Sequence, residues 1–201
     1  MKIVIIKYNA GNIRSVDFAL QRLGVSASVS ADPDEIKSAD RVIFPGVGEA
    51  STTMSYLKLH KLDALICDLH QPVLGICLGL QLMCTHSEEN DTRCLGIFPE
   101  EVRKFVPLPE DAALFKVPHM GWNSISGLKT PLFDQISEEE YFYFVHSFYA
   151  TTGEDTAAIC NYTVPFSASL QRDNFYATQF HPEKSGKTGA RILENFLNLK
   201  V

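Results

Sequence analysis

The chain has 201 residues, 45% hydrophobic and 21% charged, with a formal net charge of -6. That length suits one α/β domain with a sizeable core, and the acidic balance with no basic run argues against a nucleic-acid surface. The five cysteines form no regular framework, and the apolar run after Met1-Lys2 is too short for a signal segment or a membrane span; both predict a cytoplasmic protein with reduced thiols and no membrane contact.

Lys2 to Ile6 is a β-branched run, the pattern of a strand covered on both faces. Tyr8-Asn9-Ala10-Gly11-Asn12 reads as a loop. The next segment predicts a helix with Ile13, Val16, Phe18, Leu20 and Leu23 on its apolar face and Gly24 as its stop. Val25–Val29 predicts a short strand, and Asp32-Pro33-Asp34 opens a turn with room for one turn of helix up to Lys37. Arg41–Phe44 is a strand ending in Pro45-Gly46-Val47-Gly48. Those glycines would let backbone N–H groups approach a ligand, although such a stretch alone is more often a plain strand-to-helix turn. Ser51 to about Leu69 reads as helix, in one piece or two. Pro72–Cys77 is a strand followed by a helix to about His86.

Alternating β and α segments with short connections predict a mostly parallel sheet with helices on both faces and ligands at the carboxyl ends of the strands. From Arg93 the pattern changes to short strand-like segments with antiparallel alternation: Glu101–Val106, Leu114–Val117, Tyr141–Val145, Ala157–Asn161, Phe166–Gln171 and Phe175–Gln179. A closing helix starts at Gly186 and carries Ile192, Leu193, Phe196 and Leu197 as its apolar stripe. No linker, repeat or low-complexity stretch divides the chain, so a single domain over residues 1–201 is expected.

Two stretches carry chemistry. Gly75-Ile76-Cys77-Leu78-Gly79 has the spacing of a nucleophile elbow, with a thiol at a tight strand-to-helix turn and glycines where side chains would collide with neighbouring backbone. A helix N-terminus at that point favours thiolate over thiol. The second stretch is Phe180-His181-Pro182-Glu183. It places an imidazole and a carboxylate two residues apart, as a base and its orienting acid require.

Together these stretches resemble the class I (triad) glutamine amidotransferases. Tyr8–Asn12, Pro45–Gly48, Pro118-His119-Met120-Gly121-Trp122-Asn123, His146-Ser147-Phe148-Tyr149 and Gln179–Gly186 extend the resemblance over nearly the whole chain. It implies a flavodoxin-like fold and hydrolysis of L-glutamine to glutamate and ammonia through a Cys77 thioester, with His181 as base and Glu183 holding the imidazole. It also implies an oxyanion hole from the Val47 and Leu78 amides, with the amide near Val47 acting as a switch, and no cofactor or metal. Gly48, Gln81, Glu89, Ser147 and Phe148 would contact glutamine. Glu88 is the alternative to Glu89, and Phe148 replaces a tyrosine usual in the family. The branch most similar passes ammonia to a cyclase subunit with a (β/α)8-barrel fold in a heterodimer. Asn12 and the Pro118–Asn123 segment, read as a loop, would form that interface. A glutaminase serving another synthase, or a module that keeps the fold without the chemistry, remains open at this level. Cys84, His86 and Cys94 fit no standard zinc spacing. His146 reads as a packed histidine, and His119 carries no sequence signal beyond its loop.

Overall fold

The computed structural model describes residues 1–8, 12–110 and 113–200, so the central part of the predicted Tyr8–Asn12 loop lies outside the described residues. In chain order the elements are β1 (Ile3–Ile6), α1 (Ile13–Arg22), β2 (Ser28–Ser30), α2 (Pro33–Lys37), β3 (Arg41–Gly46), α3 (Ala50–Leu59), α4 (Leu62–Cys67), β4 (Val73–Cys77) and α5 (Leu78–Met83). They continue with β5 (His86–Ser87), β6 (Thr92–Arg93), β7 (Glu101–Lys104), β8 (His119–Ser124), β9 (Tyr141–His146), β10 (Phe148–Ala150), β11 (Thr156–Asn161), β12 (Pro165–Arg172), β13 (Phe175–Thr178) and α6 (Gly186–Leu197).

The main sheet runs β11-β12-β13-β4-β3-β1-β2. Strands β2, β1, β3, β4 and β13 pair in parallel, and β12 and β11 extend the sheet antiparallel. The continuous aliphatic runs are explained by two-sided burial. Val4, Ile6, Val42 and Phe44 pack into one hydrophobic cluster, and their neighbours Ile3, Ile5 and Ile43 pack into another on the opposite face. The chain beyond α5 adds a four-stranded sheet, β10-β7-β5-β6, and the antiparallel pair β8-β9. Residues of β9 and β10 meet the carboxyl end of β4 around one cavity.

Local chemistry sets several boundaries as expected. Asp32 Oδ1 accepts the Asp34 and Glu35 N–H groups at 2.8 and 3.0 Å, and Pro33 opens α2. Ile192, Leu193, Phe196 and Leu197 of α6 are all buried.

Four expectations are corrected. Phe18 is 54% exposed; at about 100° per residue it lies roughly 200° from both Val16 and Leu20, so Ala19 takes the core position instead. Helix α5 stops at Met83 rather than near His86, because the returning segment takes its last carbonyls: Leu95 N–H bonds Leu82 O at 2.9 Å, and Ile97 and Phe98 N–H bond Met83 O at 2.8 and 2.9 Å. Leu114–Val117 forms no strand. The strand is His119–Ser124, where a loop was expected, and it pairs with β9 from His119↔His146 to Ser124↔Tyr141.

Candidate active site

The elbow exists and is strained. Cys77 has φ 54° and ψ -105°, a conformation that costs a non-glycine residue on the order of 1–3 kcal/mol. The glycines have the reason the sequence suggested. A Cβ on Gly79 would stand 2.1 Å from the Phe44 carbonyl oxygen of β3, and one on Gly75 would stand 3.1 Å from the Gly79 carbonyl carbon. Neighbouring β3 is held in register with β4 through Gly46↔Cys77, so Pro45–Gly48 and the elbow emerge side by side.

His181 follows β13, which pairs with β4 in parallel from Phe175↔Val73 to Thr178↔Ile76. The histidine thus leaves the sheet next to the cysteine. Its backbone is pinned by His181 N–H to Tyr143 O at 3.0 Å and by Ser185 Oγ–H to its own carbonyl at 2.7 Å. Glu183 Oε1 accepts from His181 Nδ1 at 2.7 Å, with both side chains buried. Nδ1 is therefore the protonated nitrogen, and Nε2, which has no other hydrogen-bond partner, is the nitrogen beside Cys77. Burial pushes the imidazole pKa down, but the neighbouring Cys77 and Glu183 more than offset it and raise His181 to about 10.

A cavity of about 310 Å³ opens at this point, lined by Val47, Gly48, Cys77, Leu78, Gln81, Glu89, Pro118, Val145, His146, Ser147 and Phe148. Every residue expected at the oxyanion hole or on glutamine lies in that wall. Glu88 and Glu89 point in different directions. Glu89 faces the cavity and accepts the Ala50 N–H at 2.7 Å, whereas Glu88 turns away to the Lys104 N–H at 2.7 Å.

The structure divides the expected interface residues. Pro118, Met120 and Trp122 are exposed, the last two at 63% and 55%, and Trp122 packs against Tyr143. Gly121 and Asn123 are half-buried. His119 is buried because strand pairing turns it inward against Phe144 and Tyr162, so it offers no surface to a partner. The Asn12 side chain is directed inward too, donating from Nδ2 to Glu183 Oε1. That places it behind the His181–Glu183 pair, a contact between residues 171 positions apart that no local spacing could signal. Gly46 has little free space either. A Cβ there would stand 2.7 Å from Leu78 Cβ and from Tyr8 Oη. A proline at 46, a natural way to lock the Val47 amide, would therefore disturb the elbow packing as well.

The family model for class-I glutamine amidotransferases matches residues 4–199. The chain belongs to this family. Among curated relatives, the imidazole glycerol phosphate synthase subunit HisH of Bacteroides thetaiotaomicron is 61% identical over 199 residues, covering 99% of this chain and all of the relative. The protein of the same name from Vibrio parahaemolyticus is 43% identical, with 98% of each chain covered. The crystal structure of a putative GMP synthase protein from Thermoplasma acidophilum superposes with a TM-score of 0.72 at 22% identity, covering 98% of this chain and 92% of that one. The amidotransferase fold expected from the sequence is thereby shown.

One feature of this amidotransferase escaped sequence reasoning. His119 Nδ1 and His146 Nε2 are 3.1 Å apart, and His146 Nδ1 bonds the Phe148 carbonyl at 2.8 Å. A carbonyl only accepts, so neutral His146 carries its proton on Nδ1 and His119 donates from its own Nδ1. Burial lowers His119 from 6.5 to about 4 and His146 to about 3. Both histidines therefore resist protonation only in the folded chain. Their contribution to stability is complete above pH 6.5 and is lost as the pH falls through the folded values. Between pH 6.5 and about 4 each should cost about 1.4 kcal/mol of stability per pH unit. Urea unfolding at pH 7, 6 and 5 should show a steeper loss for the wild type than for His119→Phe. Equal slopes would contradict the assignment.

Proposed function

We propose that the chain is the glutaminase subunit of an imidazole glycerol phosphate synthase, hydrolysing L-glutamine and delivering ammonia to a cyclase partner. The observation that carries the chemistry is the Cys77 elbow in the wall of one cavity, with the buried His181–Glu183 pair beside the thiol. The near full-length identity with relatives of that name supports the pathway over another synthase. Together with the intact Cys77, His181 and Glu183, it also disfavours a module without chemistry.

In this reading glutamine lies in the cavity with its carboxamide against Cys77. The Cys77 Sγ–H proton passes to His181 Nε2, and sulfur forms the S–C bond to the carboxamide carbon. The oxyanion is received by the Leu78 N–H, directly after the nucleophile, and by an amide of the Val47 segment; losing one such donor typically costs about 100- to 1000-fold in rate. His181 returns the proton to the departing ammonia, and a water activated by the same nitrogen cleaves the thioester to glutamate. Glu183 holds the imidazole in the required tautomer, with Asn12 at its back. Among the described residues Glu89 is the only cavity-lining carboxylate, and it suits the α-ammonium of glutamine. Burial raises its pKa, so partly neutral Glu89 would weaken binding on the acid side.

The partner, a (β/α)8-barrel cyclase in a heterodimer, would dock over the cavity mouth on Pro118, Met120, Gly121, Trp122 and Asn123, and cytoplasmic location follows from the pathway. Exposed Trp122, standing against Tyr143, is the expected interface anchor. Trp122→Ala should weaken the complex by about 2 kcal/mol, roughly 30-fold in Kd, while leaving the free glutaminase folded. Calorimetric titration of the two proteins measures it, and an unchanged Kd would remove Trp122 from the interface. The function itself is tested by glutamate release from glutamine in the presence of the cyclase and its nucleotide ligand.

A further inference from the structure

Gln179 stands between β13 and His181, is fully buried, and has no part in the reaction as described above. Its Nε2 donates to Cys77 Sγ at 3.6 Å. The direction of that bond is fixed by a chain of donors that begins at a carbonyl. The Phe148 oxygen can only accept, so the Gln81 atom 2.8 Å from it is the amide nitrogen. The second Gln81 N–H reaches Gln179 Oε1 at 3.1 Å. With its oxygen so occupied, Gln179 presents its NH2 end to the sulfur. The same Phe148 oxygen takes the His146 Nδ1–H, so the chain continues to the buried His119–His146 pair at the start of β8 and the end of β9.

We propose that Gln179 is a further catalytic residue, a hydrogen-bond donor that holds Cys77 Sγ and stabilises it as thiolate, with Gln81, the Phe148 carbonyl and His146 as positioning groups that keep the amide facing the sulfur. The proposal rests on the glutaminase reading for its place in turnover. In the attack step the sulfur proton goes to His181 Nε2 and the sulfur lone pair forms the S–C bond, while Gln179 transfers no proton. In thioester hydrolysis the S–C bond breaks with its electron pair on sulfur, and the same N–H receives the leaving thiolate. A donor to a charged acceptor contributes more than one to a neutral thiol, so the bond strengthens when sulfur carries charge. It also limits Gln81. Both of its N–H groups are spent on Phe148 and Gln179, which leaves only its Oε1 for substrate.

The other ionisable groups around the sulfur are Tyr8, whose hydroxyl is given to the Pro45 carbonyl, and His181 with Glu183 behind it; His146 faces His181. None of these changes in a Gln179 variant, so the alkylation profile of Cys77 isolates the amide. Iodoacetamide labelling of the whole chain should be followed by peptide mass spectrometry across pH 5–10, because exposed Cys67 will label as well. Gln179→Met should move the Cys77 midpoint up by about one pH unit, a tenfold smaller thiolate fraction at a given pH. It should also lower kcat about tenfold with KM nearly unchanged. Gln81→Met frees the amide and should move the midpoint in the same direction by less. If Gln179→Met fails to fold, Gln81→Met decides by the same measurement. An unchanged midpoint in a folded variant overturns the proposal. Because alkylation needs no turnover, a wild-type complex with the cyclase and its nucleotide ligand that releases no glutamate would refute the glutaminase reading while leaving the role of Gln179 to be judged by the labelling.

Discussion

Cys77→Ala and His181→Ala should each reduce partner-stimulated glutamate release by about a million-fold, and the double variant should be no slower than either single one. Nucleophile and base act as one unit, so removing either leaves the other without a task; in other nucleophile–base pairs each loss costs about that much. Glu183→Gln should be milder, on the order of 10,000-fold, because the ring remains while its tautomer and charge support are lost. The structure makes these outcomes specific. His181 has Glu183 at 2.7 Å on Nδ1 and no other hydrogen-bond partner on Nε2, the nitrogen beside Cys77, so no other described residue is placed to replace it. Steady-state glutamate release measures all four variants. Additive losses in the double variant would mean that the two residues act independently, which this geometry does not allow.

Gly79→Ala should destabilise the fold by about 3 kcal/mol or more, far beyond the usual cost of a single added methyl. The added Cβ would meet the Phe44 carbonyl oxygen at 2.1 Å, a backbone atom of the fully buried strand β3 that has no rotamer to yield. Relief would require α5 to move off the sheet, taking Leu78 and Gln81 out of the cavity wall. Gly75→Ala is the control. Its Cβ would meet Met83 Sδ at 2.9 Å, the end of a flexible side chain, and Gly79 backbone at 3.1 Å, so about 1–2 kcal/mol is expected. Urea unfolding of both variants distinguishes them. Equal stabilities would show that the elbow has more room than its geometry indicates.

These effects also mark what was legible in the chain before its fold was known. Whatever depends on short spacing could be read. The glycines two residues on either side of Cys77, the histidine and glutamate two residues apart, and the aliphatic runs of β1, β3 and β4 all encode their geometry locally. What depends on register between distant segments could not be read. Strand β8 holds Gly121 and Asn123 and follows Pro118, residues that usually signal turns; it is a strand because β9 lies against it along its whole length. That pairing alone brings His119 to His146 and turns it from a surface candidate into a buried donor. Asn12 is an N-terminal loop residue by sequence, yet its amide ends on Glu183. Gln179 and Cys77 are 102 positions apart and meet because β13 and β4 are parallel neighbours. Phe18 lies off the core for a simpler reason, since an apolar residue inside a helix is buried only when its angle agrees with the rest of the stripe.

The most direct test of the account is glutamate release from glutamine by the wild-type chain, alone and with the cyclase plus its nucleotide ligand. The account predicts low release alone, a large rise in the complex, and none in either condition with Cys77→Ala. No glutamate from the wild-type complex, or undiminished release from Cys77→Ala, would contradict it.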